Sequence, residues 1–377
     1  MIASAIDRPA WLEVDLSAIS SNISAVRHLV GPKTDVMAVI KANAYGHGLE
    51  QVAKAAICGG AAALGVAILQ EGLKLREAGI DAPVVVLGPA LPDQAEALVA
   101  AHLSAVVSTE ESICALSKAA KAQKIPANVH LKIDTGMGRV GIAPHQTFDF
   151  ANRINRDPHL KLEGVATHIA WECVADYGKA RAQIAQYTQV LNTLPNITPR
   201  WRHVANSAMT IHVPESRFDM VRVGLLTYGL PPAEGSANLP LRPALSLKAR
   251  IIQVRNVSPG QTLSYGGSFT VQRPSHIALL PLGYADGYNR RLSNRAQVLI
   301  NGQRCPVVGK VCMDLTLVDI TDMPPLKPGA EVVLLGQSGN QKISVTDLAN
   351  WMEGIPHEVI AQLGARLPRR YLHDPTR

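Results

Sequence analysis

Between residues 36 and 223 the chain repeats one pattern eight times: a short run of branched apolar residues, then a longer stretch of helix-forming composition. The runs are VMAVIKA (36–42), AALGVAI (62–68), PVVVLG (83–88), SAVVST (104–109), VHLKID (129–134), LEGVATHI (162–169), WRHVANS (201–207) and DMVRVG (219–224). Runs this continuous are what strands need when helices cover both faces of a sheet. Between them, LEQVAKAAI, QEGLKLREAG, PDQAEALVAAH and TEESICALSKAAKAQ carry apolar residues at helical spacing and end at Gly or Pro. Eight such units predict an α/β fold, a (β/α)8 TIM-type barrel over residues 13–243. A doubly wound open sheet is the alternative that the same alternation allows.

Beyond Pro243 the texture changes. SLKARIIQVRNV, AQVLINGQRCPVV, VCMDLTLVDI and EVVLLG read as strands, with Asn301-Gly302 marking a hairpin. Only VTDLANWM and HEVIAQLG read as helices. This predicts a mainly β C-terminal domain over 244–377, joined by residues 1–12, to which WLEVDL is placed to add an outer strand.

Composition narrows the function classes. With 47% hydrophobic and 18% charged residues the chain can bury a large core. The net charge of +7 is dispersed, without the basic stripe and interleaved aromatics of a nucleic-acid binder, and a basic cleft for a small anionic ligand accounts for it. Five cysteines, none in C-x-x-C spacing, argue against a disulfide framework or a metal site. The start lacks a basic n-region and a long apolar segment, and Gly59 to Leu69, the longest apolar run, is too short to span a bilayer. A cytoplasmic protein without membrane association is expected.

In a barrel of this kind chemistry gathers at the C-terminal ends of the strands. There stand Lys41, the segment Asp134 to Arg139, His168, Asn206-Ser207 and Arg222. Phosphate is commonly held by the loops after strands 7 and 8, where Ser207 and the Gly224-Leu225 amides are candidate donors. A lysine facing a phosphate seat suits a phosphorylated aldehyde bound as an imine, and pyridoxal phosphate is such a molecule. By spacing alone, an aldolase-type barrel fits equally well.

AVIKANAYGHG (38–48) resembles the cofactor-lysine segment of alanine racemases, the fold-type III pyridoxal-phosphate family. The resemblance continues through LKIDTGMGRVGI (131–142), ATHIA (166–170), HVANSA (203–208), VRVGLLTYG (221–229), LSYGGSF (263–269), GYADGY (283–288) and VGKVCMD (308–314), in family order over nearly the whole chain. It implies an isomerase that interconverts L- and D-alanine, as a homodimer with shared active sites. Lys41 would anchor the cofactor and carry one proton. Tyr265, from the partner subunit, would carry the other on the opposite face, because racemisation needs two groups. His168 would stand behind the Tyr265 hydroxyl and connect to Arg222, which would face the pyridine nitrogen. Arg139 would bond the ring hydroxyl and the substrate carboxylate, and Lys132 would be the lysine that carries a carbamate in relatives. Tyr45, Asn206, Ser207, Gly224 and Leu225 would hold the phosphate end. Met313 and Asp314 would close the pocket from the partner, with Tyr284 at its entrance.

Two departures stand out. Ala365 precedes Arg366-Leu367-Pro368-Arg369 where relatives often have a second phosphate tyrosine, and WECVADY (171–177) differs from the commoner form. The narrow entrance implies alanine-sized substrates, with serine turned over less well, and the departures leave a serine/alanine racemase as the alternative. The other readings are a decarboxylase, expected to set a carboxylate against the pyridine nitrogen and to use a cysteine such as Cys312, and a cofactor-homeostasis protein built on the barrel alone. The product would feed peptidoglycan synthesis or arise in alanine breakdown.

Overall fold

The computed structural model describes residues 8–170, 177–194, 197–232 and 239–376, so all but the last residue of WECVADY lies outside the described residues. Packing divides the chain into two units. One comprises Ser17–Ala44, Leu49–Pro243 and the last residues from Pro375; the other comprises the residues up to Leu16, Tyr45–Gly48 and Ala244–Asp374.

The first strand, β1 (Ala10–Asp15), belongs to the second of these units. The next eight are β2 (Asp35–Val39), β3 (Ala63–Val66), β4 (Val84–Val86), β5 (Ser104–Val107), β6 (Ala127–Lys132), β7 (Leu160–Ala166), β8 (Trp201–His203) and β9 (Met220–Val223). They close into a parallel barrel, with β9 returning to pair β2 from Asp35↔Met220 to Ala38↔Val223. That closure excludes the open sheet. All eight expected runs form strands, but most stop short of the polar residues at their C-terminal ends, which leave the ladder to build loops. Helices Leu49–Cys58, Leu69–Glu77 and Glu110–Gln123 follow the expected periodicity, the last with Thr109 Oγ1 accepting from the Ser112 amide at 3.2 Å.

Met37, Ala63, Val85, Val106, Trp201 and Met220 pack together as a buried apolar cluster. Each large side chain so buried contributes roughly 1.5–3 kcal/mol. Side chains two residues apart on a strand share a face. His203 therefore lies on the face of Trp201, and Arg222 on that of Met220, so the apolar plug passes into a polar layer.

The second unit is mainly β. Its strands after β1 are β10 (Leu245–Arg250), β11 (Gln253–Val257), β12 (Thr262–Leu263), β13 (Phe269–Thr270), β14 (Ser275–Leu280) and β15 (Gln297–Ile300). They continue as β16 (Gln303–Pro306), β17 (Thr316–Asp319), β18 (Glu331–Ser338), β19 (Gln341–Ile343) and β20 (Arg369–Leu372). One sheet runs β16-β15-β18-β10-β1-β20 with β19 beside β18, another runs β11-β14-β17, and β12 pairs β13. The β15–β16 hairpin turns on Asn301 and Gly302, whose φ angles of 48° and 79° are those a two-residue turn requires. WLEVDL is not an outer strand. Strand β1 pairs β10 antiparallel on one side and β20 parallel on the other, and it runs to Asp15, past residue 12. Among the described residues no helix is long and apolar enough to cross a membrane.

Candidate active site

Lys41 stands two residues beyond β2, at the start of a turn of unusual hand. Ala42, Asn43, Ala44 and Tyr45 have φ between 50° and 53°. L-residues resist this left-handed geometry by roughly 1–2 kcal/mol each. Hydrogen bonds hold it. The Ala42 amide donates to Glu71 Oε1 (2.5 Å), the Ala44 amide to the Ile40 carbonyl (2.8 Å), and the Leu49 amide to Asn43 Oδ1 (2.9 Å). Partial burial and then the Arg139 guanidinium lower the pKa of Lys41, against an opposing pull from Glu71. The amine is thereby brought closer to its neutral, reactive form.

Arg222 lies inside β9 rather than at its end, and it is buried. Its Nη1 donates to the His203 carbonyl (2.8 Å) and to His203 Nδ1 (3.0 Å). Its two Nη2 hydrogens are shared among the Thr167 and Val204 carbonyls (both 3.0 Å) and His168 Nδ1 (3.1 Å). Burial lowers even this guanidinium, to about 10. Burial, then Arg222, Lys132, Arg139 and Lys41, push His168 down to about 2, so its imidazole is neutral at any physiological pH. Lys132 falls well below its usual value through burial and the nearby Arg222 and Arg139.

Arg139 is exposed, at the end of a loop shaped by Asp134, whose carboxylate accepts from the amides of Gly136 (2.9 Å) and Gly138 (2.9 Å). Asn206 caps the short helix Ser207–His212 by accepting from the Met209 amide at 3.0 Å. Ser207 Oγ accepts from the amides of Gly224 (3.0 Å) and Leu226 (3.4 Å), tying the loop after β8 to that after β9. The Gly224 N–H is thus engaged, and Leu225 lies in the same turn. These residues fit a phosphorylated aldehyde held through a lysine: an amine of lowered pKa, a buried guanidinium that can only donate, and two locked loops at the strand ends.

The second unit carries the remaining candidates. Tyr265 follows Ser264, whose φ of 63° is strained for a non-glycine residue and whose Oγ donates to the Lys310 carbonyl at 2.8 Å. The amides of Tyr284 and Ala285 donate to the carbonyls of Cys312 and Met313 (both 3.0 Å). That approach needs Gly283, where a Cβ would lie 2.0 Å from the Cys312 carbonyl oxygen. Asp286, buried below this turn, is held by Arg8 through paired 2.7 Å hydrogen bonds, and Arg366 reaches Asp314 at 2.6 Å. Tyr265, Met313 and Tyr284 are 71%, 53% and 42% exposed on the single chain. Tyr45 is buried, its phenol pushed up to about 12 by that burial, and the His357 ring lies 5.9 Å away.

Several neighbours of the candidate residues escaped sequence reasoning: Glu71, His130, Glu163, His203, Asp286 and His357. A signal existed for two of them. His130 precedes Lys132 by two residues, and His203 follows Trp201 by two, so strand periodicity already puts them on inward faces.

The family model described as alanine racemase, N-terminal domain, matches residues 14–232, and that described as alanine racemase, C-terminal domain, matches 244–371. The chain is 41% identical to an alanine racemase of Halothermothrix orenii over 369 residues, 97% of each chain. It is similar to the crystal structure of the Bacillus anthracis alanine racemase with bound L-Ala-P, at 34% identity and a TM-score of 0.91, covering 98% of this chain and 96% of that one. The Bartonella henselae alanine racemase with covalently bound pyridoxal phosphate aligns at 28% identity and a TM-score of 0.87, over 97% and 100% of the chains.

Proposed function

The chain belongs to the alanine racemase family, a family of pyridoxal-phosphate-dependent isomerases, and we propose that it interconverts L- and D-alanine with Lys41 and Tyr265 as its two proton carriers. When bound, pyridoxal phosphate supplies the electron sink that acidifies the α-C–H bond. Lys41 anchors it and moves the proton on one face; Tyr265 of a second copy moves the proton on the other. Inversion at the α-carbon requires that the returning proton arrive from the side opposite the one that left.

The observation that carries this reading is the buried guanidinium of Arg222. An arginine donates and does not accept, so a ring nitrogen facing it stays unprotonated. Arg222 would thereby favour proton transfer over transamination or decarboxylation. A decarboxylase would set a carboxylate there. Neutral His168, with Nδ1 turned to Arg222, has its other nitrogen available to the Tyr265 hydroxyl. Arg139 orients the substrate carboxylate. Burial and the nearby Arg222 and Arg139 lower the Lys132 amine towards the neutral form that reacts with carbon dioxide to give a carbamate. Tyr45, Asn206, Ser207, Gly224 and Leu225 seat the phosphate. Met313, Asp314 and Tyr284 of the second copy narrow the pocket to alanine-sized substrates, and their exposure on one chain supports that role. A cytoplasmic homodimer supplying D-alanine for peptidoglycan, or degrading alanine, completes the reading.

An amino-acid panel incubated in deuterated water and resolved by chiral chromatography tests it. Both alanine enantiomers should interconvert with deuterium at the α-carbon, and serine more slowly. Tyr265→Phe should lose roughly a hundred- to ten-thousand-fold in rate from L-alanine. Near-full activity in that variant would reject the two-base assignment.

A further inference from the structure

A buried guanidinium needs a counter-charge, yet among the described residues no carboxylate is paired directly with Arg222; its partners are three carbonyls and two imidazoles. A hydrogen-bonded chain leads from it to one. His203 Nε2 lies 2.8 Å from His130 Nδ1, and His130 Nε2 lies 3.2 Å from Glu163 Oε2, which also accepts from Ser104 Oγ at 2.6 Å. Every member is buried. Burial alone would raise the Glu163 carboxyl, but the hydrogen bonds from His130 and Ser104 prevail and hold it below its usual range, ionised.

The backbone is shaped to make this chain. Between β6 and β7 the pairing passes from Val129↔Leu162 to His130↔Gly164, leaving Glu163 as the extra residue of a bulge. Bulges re-aim side chains, and this one directs a carboxylate to His130. At Gly164 a Cβ would lie 2.3 Å from His130 Nδ1, so the absence of a side chain there makes room for the imidazole.

Direction follows from valence. Arg222 can only donate, so His203 Nδ1 accepts and its proton sits on Nε2. That proton makes His130 Nδ1 an acceptor, which leaves the His130 proton on Nε2, facing Glu163. By the same reasoning His168 accepts at Nδ1 and carries its proton on Nε2. We propose that Glu163 is the remote counter-charge of Arg222, and that His130 and His203 are positioning residues that transmit it as a chain of hydrogen bonds all pointing one way. The chain holds the guanidinium in place and fixes the His168 tautomer. Its catalytic consequence rests on the racemase reading above; the proton order does not.

Nitrogen-15 spectra of holoenzyme labelled in its histidine rings, assigned by single His→Asn variants, read the proton positions directly. Neutral Nε2–H rings are expected for His168 and His203 between pH 6 and 8, and the His130 proton is expected on Nε2. A proton on His203 Nδ1, or an imidazolium at His130 or His203, would overturn the proposal even in a fully active racemase. In Glu163→Gln the amide oxygen still accepts from His130, but the charge is gone. Around Arg222 stand His168, His203, Lys132, Arg139 and Tyr187, with Asp134 acting on Lys132 and Asp219 on Tyr187, and the variant removes the carboxylate to which the guanidinium's own hydrogen-bonded chain leads. Proton release from the site becomes easier, and both limbs of the kcat/KM profile should move to lower pH by roughly half to one unit. A profile superimposable on the wild type would refute the counter-charge. Absence of racemisation by the wild-type enzyme would instead reject the function, leaving the spectra to judge the chain.

Discussion

His168 and His203 link the active site to the stability of the fold. An unfolded histidine titrates near 6.5. In the folded chain burial, then Arg222, holds His168 unprotonated to about 2 and pushes His203 in the same direction. Below pH 6.5 the unfolded state therefore takes up protons that the native state refuses, and stability falls as the pH drops. Each such histidine contributes a slope of up to about 1.4 kcal/mol per pH unit. Glu163 enters later, because its pKa is lowered: its contribution is full above the unfolded value near 4.3 and is lost as the pH falls through its folded value. The free energy of unfolding by urea, measured from pH 7 to 4.5, should thus fall by roughly 2–3 kcal/mol per unit below pH 6. In His203→Gln the slope should drop by about half. A flat wild-type curve would mean that both imidazoles are charged in the native state.

The left-handed turn after β2 shows how an element is held against its own preference. Nothing in Lys-Ala-Asn-Ala-Tyr demands four residues at positive φ; Asn43 alone tolerates it well. The turn persists because Glu71, Ile40 and Leu49 supply partners for it. Asn43→Ala removes both the αL-tolerant residue and the acceptor at the first turn of helix Leu49–Cys58, at a cost of about 1–2 kcal/mol. Asn43→Gly removes only the acceptor, since glycine adopts positive φ freely. Urea denaturation should rank wild type above Asn43→Gly and Asn43→Ala lowest; the reverse order of the two variants would show that the turn stores no strain. Legibility divides along the same line. The eight barrel strands could be read because a strand buried on both faces is apolar throughout, and the Asn301-Gly302 hairpin because its residue types state its dihedrals. Strand β20 could not: Arg-Arg-Tyr-Leu is half charged and becomes a strand only by pairing β1. The bulge at Glu163 was equally hidden, since its register depends on β6. Lys41, His168 and Arg222 were legible as polar residues at or near apolar strand ends, whereas Glu71 looks like any acidic residue in a helix's first turn.

At the scale of the molecule, the proposed proton carriers sit on different units of the chain, and the three large side chains proposed to shape the substrate pocket are all exposed. In the proposed two-fold assembly, exposed Tyr265, Met313 and Tyr284 would each have a surface to meet. In such a dimer each site takes Lys41 from one copy and Tyr265 from the other. Lys41→Ala and Tyr265→Ala homodimers are then both inactive. After subunit exchange in equal amounts, half of the dimers are mixed, and each of these has one site with both carriers and one with neither. About a quarter of wild-type activity should return, because two-fold symmetry allots one intact site to every mixed dimer. Exchange is followed independently with two affinity tags, so a mixture that exchanges fully yet stays inactive means that each chain completes its own site. The recovered activity should also decline on dilution towards the dimer dissociation constant, whereas a site completed within one chain keeps its specific activity at every concentration.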